Sequence, residues 1–248
     1  MDFPDPIAPL TAERGAIVYA VLMIIGLLGA TGPAGTALAA RLASVGHEVL
    51  LGSRSRYRSL EERDKIVERW PDHDLRIQAT DNQEAAQAEL VAITTPWDAA
   101  ASTAYSVVEH LHGKVVICMS NALALVHGEF QPLVPPRGSV AASVQVEVPD
   151  AFVAATLQHV PAAELGNLAA DLVSDVLICS DHKRATEAVC QLLSKFPGVR
   201  PLDAGGLSNA MAIEAFTAVL LQLNTKYKTQ VAVRFTGIGD QSDQSDQK

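Results

Sequence analysis

The sequence predicts an α/β fold: a Rossmann-type doubly wound parallel sheet followed by a small C-terminal α/β domain. Three observations carry this expectation. A glycine-rich turn, Gly29-Ala-Thr-Gly-Pro-Ala-Gly35, sits between an apolar run and a helical one. Short apolar runs then alternate with helical stretches, as βα units require. A proline-rich segment, Gln131 to Gly138, marks a boundary before a second alternation begins.

The first strand is Met23 to Gly29, and the helix after the turn runs to Gly46. A second strand, His47 to Gly52, leads into Ser53-Arg54 and a charged helix, Arg56 to Trp70. Leu75 to Ala79 is short and extended and serves as a third strand. A helical piece, Gln83 to Ala88, precedes the buried-type apolar strand Glu89 to Thr94, which Thr95-Pro96-Trp97 breaks. A helix over Asp98 to Leu111 and a strand over Val115 to Met119 complete the first half. Beyond the boundary the pattern predicts a helix over Ser139 to Glu147, a strand over Phe152 to Gln158 and a short helix from Ala162. A strand follows over Asp175 to Cys179, then a helix over Lys183 to Lys195 and a strand over Val199 to Leu202. Gly205-Gly206 opens a long apolar helix to about Lys226, and Thr229 to Phe235 reads as a last strand. The domains expected are 23–138 and 139–240, flanked by an extension at 1–22, poorly ordered or helical only near Ala16 to Leu22, and a disordered polar tail at 241–248.

The turn has a physical job. Gly29 permits the tight bend, Gly32 lets backbone approach a pyrophosphate, and Gly35 lets the helix pack closely on the strand. Pro33 suits a first helical turn, and the free N–H groups beside it form an anion site with the helix dipole. At the end of the second strand, where an NAD-binding chain carries an acid for the ribose hydroxyl, this chain has Ser53-Arg54, with Arg56 and Arg58 beyond. A fixed cation with a planar donor fork suits a 2′-phosphate, so the cofactor expected is NADP(H). In such sheets ligands collect beyond the carboxyl ends of the strands. The loops at Thr31, Ser53, Thr94 to Trp97, and Ser120-Asn121 therefore share one crevice.

Composition excludes several alternatives. A net charge of −9 argues against nonspecific nucleic-acid binding. Cys118, Cys179 and Cys190 are widely spaced without a Cys-x-x-Cys pair, which fits buried thiols in a reducing cytoplasm. Gly15 to Ala40 carries no charge, yet its five glycines and one proline follow strand-turn-helix spacing, and Asp2, Asp5 and Glu13 precede it where a signal peptide is basic. No membrane span is expected. Hydrolytic signatures are absent: the chain has no Gly-x-Ser-x-Gly elbow, no His-Glu-x-x-His and no complete P-loop. Glu109-His110-x-His112 straddles a helix end and reads as dipole-compatible surface rather than a metal site. His159 ends an apolar strand just before Val160-Pro161, which turns the chain toward the crevice. It is either a ligand-facing residue or a histidine satisfied by neighbouring backbone.

These pieces together resemble the NADPH-dependent reductases of coenzyme F420. The carrying motifs are Gly29 to Gly35, Gly46-His-Glu-Val-Leu-Leu-Gly-Ser-Arg54, Thr95-Pro-Trp97, His159-Val-Pro-Ala-Ala163, and Arg200-Pro-Leu-Asp-Ala-Gly-Gly-Leu-Ser-Asn209. The resemblance spans nearly all of Met23 to Gly239. Two departures stand out: Ala30 replaces a glycine, and Ser120-Asn121-Ala122 lacks a proline after the fifth strand.

The resemblance implies reversible hydride transfer between NADP(H) and the deazaflavin coenzyme F420, in a cytoplasmic homodimer with small-molecule partners only. Arg54 and Arg58 would meet the 2′-phosphate, with Thr31 and Ser53 on the other phosphates. Pro96, Trp97 and His159 would line the stacked rings, His159 as a positioning residue. The full cofactor-binding set implied is Gly29, Thr31, Gly32, Pro33, Ala34, Gly35, Ser53, Arg54, Arg58, Thr95, Pro96, Trp97, Ser120, Asn121, His159, Val160, Pro161 and Leu207, with no metal ligand. Two other readings remain open on sequence. One is an NADPH-dependent reductase of a small imine or ketone, with His159, Tyr105 or Tyr227 as proton donor; the other is a non-catalytic NADP(H)-sensing protein.

Overall fold

Strand and helix alternate from the first described residues onward. They are β1 (Ile24–Leu28), α1 (Pro33–Ser44), β2 (Glu48–Ser53), α2 (Arg56–Arg69), β3 (Ile77–Asp81), α3 (Asn82–Ala85), β4 (Leu90–Ile93), α4 (Trp97–Tyr105), α5 (Val108–Leu111) and β5 (Val115–Cys118). A hairpin of β6 (Leu123–Val126) and β7 (Glu129–Pro132) follows. Then come α6 (Val140–Glu147), β8 (Phe152–Thr156), α7 (Ala162–Leu165), β9 (Ser174–Cys179), α8 (Lys183–Leu193), β10 (Val199–Asp203), a 3₁₀ turn at Leu207–Asn209, and α9 (Ala210–Tyr227). The computed structural model describes residues 22–238. The expectations for the helical stretch before Leu22 and for the tail at 241–248 lie outside the described residues.

Eight strands form one sheet in the order β10-β9-β8-β5-β4-β1-β2-β3. The run from β3 through β1 to β8 is parallel, while β9 pairs with β8 antiparallel and with β10 parallel. The strands that follow the proline-rich segment thus extend the same sheet. Side chains alternate between its faces with period two. Ile25, Leu27, Val115 and Ile117 join a core with Leu38 and Leu42 of α1, Ile66 of α2, Leu165 of α7 and Val189 of α8. Leu28, Val116 and Cys118 join a second core with Ala85 of α3, Ala100 and Ala104 of α4, Val144 of α6 and Ile213 of α9. Both faces are covered, which is why β4 and β5 are continuous apolar runs rather than alternating ones.

Two expectations are corrected, and one element is added. Residues 229–235 form no strand. Lys228 takes the left-handed conformation (φ 52°) and ends α9, and the chain continues as an irregular strap held to β9 and β10 by side chains and by one main-chain bond at Asp175. The helix expected over Asp98 to Leu111 divides into α4 and α5. There the Ser106 hydroxyl bonds back to the Thr103 carbonyl at 2.7 Å, and the Ser106 carbonyl accepts from Gln83 Nε2 at 2.8 Å. The β6–β7 hairpin was not foreseen; His127 (φ 51°) and Gly128 (φ 85°) supply the paired positive angles of a two-residue turn.

Because β9 is antiparallel, α9 starts at the edge of the sheet opposite the carboxyl ends of the parallel strands and runs back toward them. Halfway along, Thr217 Oγ1 donates to the Gln158 carbonyl at 3.0 Å, just beyond β8. α9 also packs against β7, so helix and hairpin border the same edge of the sheet.

Candidate functional site

That edge holds a cavity of about 690 Å³. The turn after β1 forms its floor. Gly29 adopts φ +69°, and a Cβ there would also strike the Thr95 side chain, so only glycine fits. The Ala30 N–H donates to the Gly52 carbonyl at 2.8 Å, which fixes the turn against the end of β2. A Cβ at Gly35 would collide with Ala30, so the helix can seat this close only without one. Gly32 precedes α1 in extended conformation with no side chain capping it, and a Cβ there would meet open space. The first N–H groups of this 12-residue helix are therefore left for an external anion.

Arg54 and Arg58 form the basic wall. Both are exposed, line the cavity, and enter no ion pair among the described residues. Arg56 differs, since it is tied to Glu84 at 2.9 Å. Ser53 is 5% exposed and its hydroxyl serves the backbone: it donates to the Ser55 carbonyl at 2.7 Å and accepts from Ser55 N–H and Ser59 Oγ, each at 3.0 Å. It closes the bend that presents Arg54.

The opposite wall comes from the ends of β4 and β5. Thr94 Oγ1 donates to the Leu28 carbonyl at 3.0 Å, and Thr95 Oγ1 is buried without a partner. Pro96, just before α4, lines the cavity, as do Ser102 and Thr103 on that helix and Ser106 just beyond its end. Trp97 is half-buried as the first residue of α4. Ser120 and Asn121 support the wall from behind. Ser120 Oγ donates to the Thr95 carbonyl at 2.8 Å, and Asn121 Nδ2 to the Gln158 carbonyl at 2.9 Å.

After β8 the chain is strained, with Leu157 at φ 68°. Gln158 Nε2 donates to the Cys118 carbonyl at 3.0 Å while its Oε1 is buried without a partner. His159 is 3% exposed, and its Nε2 bonds the Asp175 carbonyl at 2.9 Å. Burial lowers its pKa, against a hydrogen bond and a charge from Asp175 that raise it. Val160 is buried, and Pro161 opens α7. The loop after α7 is held by the buried Arg41 of α1, which donates to the carbonyls of Leu165 (2.9 Å) and Asn167 (2.6 Å).

The structure thus brings Gly29, Thr31, Gly32, Ser53, Arg54, Arg58, Thr95 and Pro96 around one cavity. Pro33 borders a neighbouring groove between α1, α2 and α7, with Ala34 and Gly35 behind it on α1. Leu207 lies at the far edge of the sheet, where its N–H bonds Asp181 Oδ1 at 2.9 Å. Sequence reasoning missed Asn82, Ser102, Thr103 and Ser106 on the cavity wall. The signal for Asn82 was its place directly after the third strand. The other three lie on, or directly after, an alanine-rich helix whose direction no motif reveals. Among the described residues no cluster of histidine, cysteine and carboxylate side chains is able to hold a metal ion, and no helix is long and apolar enough to cross a membrane.

The sequence profile of the family described as "NADP oxidoreductase coenzyme F420-dependent" matches residues 24–122. An F420-dependent NADP reductase of Methanothermobacter marburgensis is 34% identical over 226 residues, covering 87% of this chain and 99% of the relative. One from Methanocaldococcus jannaschii is 33% identical over 222 residues, with coverage of 87% and 99%. Among solved structures, a chain from Arthrobacter sp. FB24, provisionally assigned as an F420-dependent NADP reductase, superimposes with a TM-score of 0.73. It is 25% identical, over 86% of this chain and 100% of its own.

Proposed function

The chain belongs to the family of F420-dependent NADP reductases, and on that premise we propose that its crevice passes hydride reversibly between NADP(H) and the deazaflavin coenzyme F420. The observation that carries the nucleotide half is Arg54: a free guanidinium directly follows β2 on the cavity rim, where an acid would select NADH. Three features fit a dinucleotide. These are the uncapped N–H groups at the start of α1, the open space at Gly32, and the buried, unpartnered Thr95 Oγ1 beside them.

In this reading the α1 N-terminus and Thr31 hold the pyrophosphate, and Arg54 and Arg58 hold the 2′-phosphate. Ser53 shapes the bend that aims Arg54. Thr95, Pro96 and Trp97 orient the nicotinamide end, and the segment from Leu157 to Pro161 walls the place of the second ring. Both reacting carbons belong to the bound coenzymes, so the protein has little acid–base work to do. Its tasks are alignment and exclusion of water. Neutral His159 suits this, because it braces the wall without adding a charge next to a moving hydride.

We assign residues 23–138 to nucleotide binding and 139–240 to closure over the deazaflavin and to dimerisation. Support for a homodimer comes from exposed apolar side chains on α9 and the hairpin: Phe216, Val219, Leu125 and Phe130. A cytoplasmic location accords with three free thiols.

The test is anaerobic absorbance of the deazaflavin with purified protein. Bleaching with NADPH and much less with NADH is expected. Tight NADPH binding without bleaching would overturn the reading, as would equal rates with the two nicotinamides.

A further inference from the structure

We propose that Asn82 is a positioning residue of the nucleotide site, its carboxamide oxygen fixing the glycine turn and its amide nitrogen serving the bound phosphates. The proposal rests on the cavity being the NADP(H) site and adds a residue to it.

The first observation is a hydrogen bond across 53 residues of sequence: Gly29 N–H donates to Asn82 Oδ1 at 3.1 Å. Gly29 stands at φ +69°, where β1 has ended. Its N–H is a donor only, so the oxygen of the carboxamide must face it. The amide nitrogen, with two donors, is thereby turned away from the turn, and Asn82 lines the cavity together with Gly29, Thr31 and Gly32.

The second observation explains how Asn82 comes so close. Two glycines outside the turn, Gly26 in β1 and Gly52 in β2, leave room for α3. A Cβ at Gly26 would collide with the Ala85 carbonyl. One at Gly52 would come within 2.7 Å of the Ala85 Cβ and 2.9 Å of the Asp81 carbonyl oxygen. The short helix is pressed under both strand ends and locked there. Asp81 Oδ1 accepts from Glu84 N–H at 2.9 Å, and Glu84 pairs with Arg56 at the start of α2, the helix that carries Arg58. Through α3 the glycine turn and the basic wall are held in one frame.

The chemistry also says why this position is an amide. Aspartate has the same shape and would keep the acceptor for Gly29, but it would set a negative charge beside the phosphates and remove the two donors.

The test uses the full chain with Asn82→Asp and Asn82→Ala, NADPH binding by calorimetry without deazaflavin, thermal midpoints, and steady-state kinetics. Asn82→Asp is expected to keep the midpoint, weaken NADPH binding by about tenfold or more, lose part of that penalty at high salt, and show the loss in KM for NADPH rather than in kcat. Asn82→Ala is expected to weaken binding comparably and also to lower the midpoint, since Gly29 N–H loses its acceptor. Should the aspartate variant fail to fold, the alanine variant's split between KM and kcat decides. Binding by the aspartate variant within about twofold of wild type would reduce Asn82 to a structural strut and overturn the proposal while leaving the NADP(H) reading standing. Failure of the wild-type protein to bind NADPH would overturn both.

Discussion

His159 Nε2 lies 2.9 Å from the main-chain carbonyl oxygen of Asp175, and this one bond sets the histidine's chemistry. A carbonyl only accepts, so the proton sits on Nε2, and Nδ1 is left as a buried lone pair without a donor. Protonating Nδ1 would bury a charge, and that desolvation outweighs the hydrogen bond and charge of Asp175 that favour it, which is why the pKa is lowered. The residue is a neutral brace between β8 and β9.

A pH experiment follows. The folded-state pKa lies below the ordinary 6.5, so the unfolded chain binds the extra proton first. The stability contribution is present above about pH 6.5 and is lost as pH falls below it. His159→Gln keeps an N–H donor and does not titrate. Its thermal midpoint is expected to fall less than that of wild type between pH 7 and pH 5, and identical pH slopes would show that His159 does not titrate on unfolding.

Arg54→Ala is expected to raise KM for NADPH by roughly tenfold to a hundredfold, the loss of a charge-assisted contact of about 1.5–3 kcal/mol, and to change KM for NADH little. Arg58→Ala acts in the same direction. Equal effects of Arg54→Ala on both nicotinamides would remove Arg54 from the 2′-phosphate.

The parts of this site visible in the sequence are those that backbone alone dictates. Gly29, Gly32 and Gly35 follow from sterics at a strand-to-helix turn, and the apolar runs of β4 and β5 follow from burial on both faces. What the sequence did not reveal depends on contacts between distant segments. Val231, Val233 and Phe235 alternate as a strand would, yet the strap bonds β9 only around Asp175, where Asp175 N–H donates to the Val233 carbonyl at 2.7 Å. The antiparallel sense of β9 is a matter of connectivity that no local pattern encodes. For His159 the sequence left two readings open, a ligand-facing residue or one satisfied by backbone. What decides its bond, the register of β8 on β9 that sets its ring against the Asp175 carbonyl, is a contact between distant segments. The hairpin was legible only in His127-Gly128, a turn signal that the prolines nearby obscured.

Glu214 of α9 is 3% exposed and accepts from Val140 N–H through both oxygens, each at 3.0 Å, and from Ala141 N–H at 3.3 Å. Burial pushes its carboxyl up to about 7, more than these donors lower it. A raised folded-state value means stability is fully present below the ordinary 4.5 and is lost as pH rises through about 7. Glu214→Gln keeps an acceptor and removes the titration. Between pH 5 and 8 its midpoint is expected to decline less than that of wild type, with a difference of order 3 kcal/mol at most. Parallel curves would mean the carboxylate is ionised throughout.

Asp175 anchors the C-terminal strap beneath His159. Its fully buried carboxylate accepts from Arg200 Nε (2.8 Å) and Nη2 (2.6 Å), Arg234 Nη1 (2.9 Å) and Phe235 N–H (2.6 Å). Burial acts to raise its pKa, but the bonds from Arg200, Phe235 and Arg234 outweigh it and hold the value at about 2. Stability from this group is therefore present above the ordinary 3.8 and lost as pH falls toward about 2. Removing the carboxylate takes away the buried acceptor shared by Arg200, Arg234 and the Phe235 N–H, so Asp175→Ala is expected to cost about 3–5 kcal/mol. Arg234 is half exposed, and Arg234→Ala is expected to cost only about 0–1 kcal/mol. Because the Asp175 carbonyl also receives His159 Nε2–H, displacement of the strap reaches the segment that we propose walls the second ring. Arg234→Ala should accordingly alter KM for the deazaflavin while leaving NADPH binding intact. Unfolding by urea and paired KM measurements check both halves, and a KM change confined to NADPH would detach the strap from the second-ring wall.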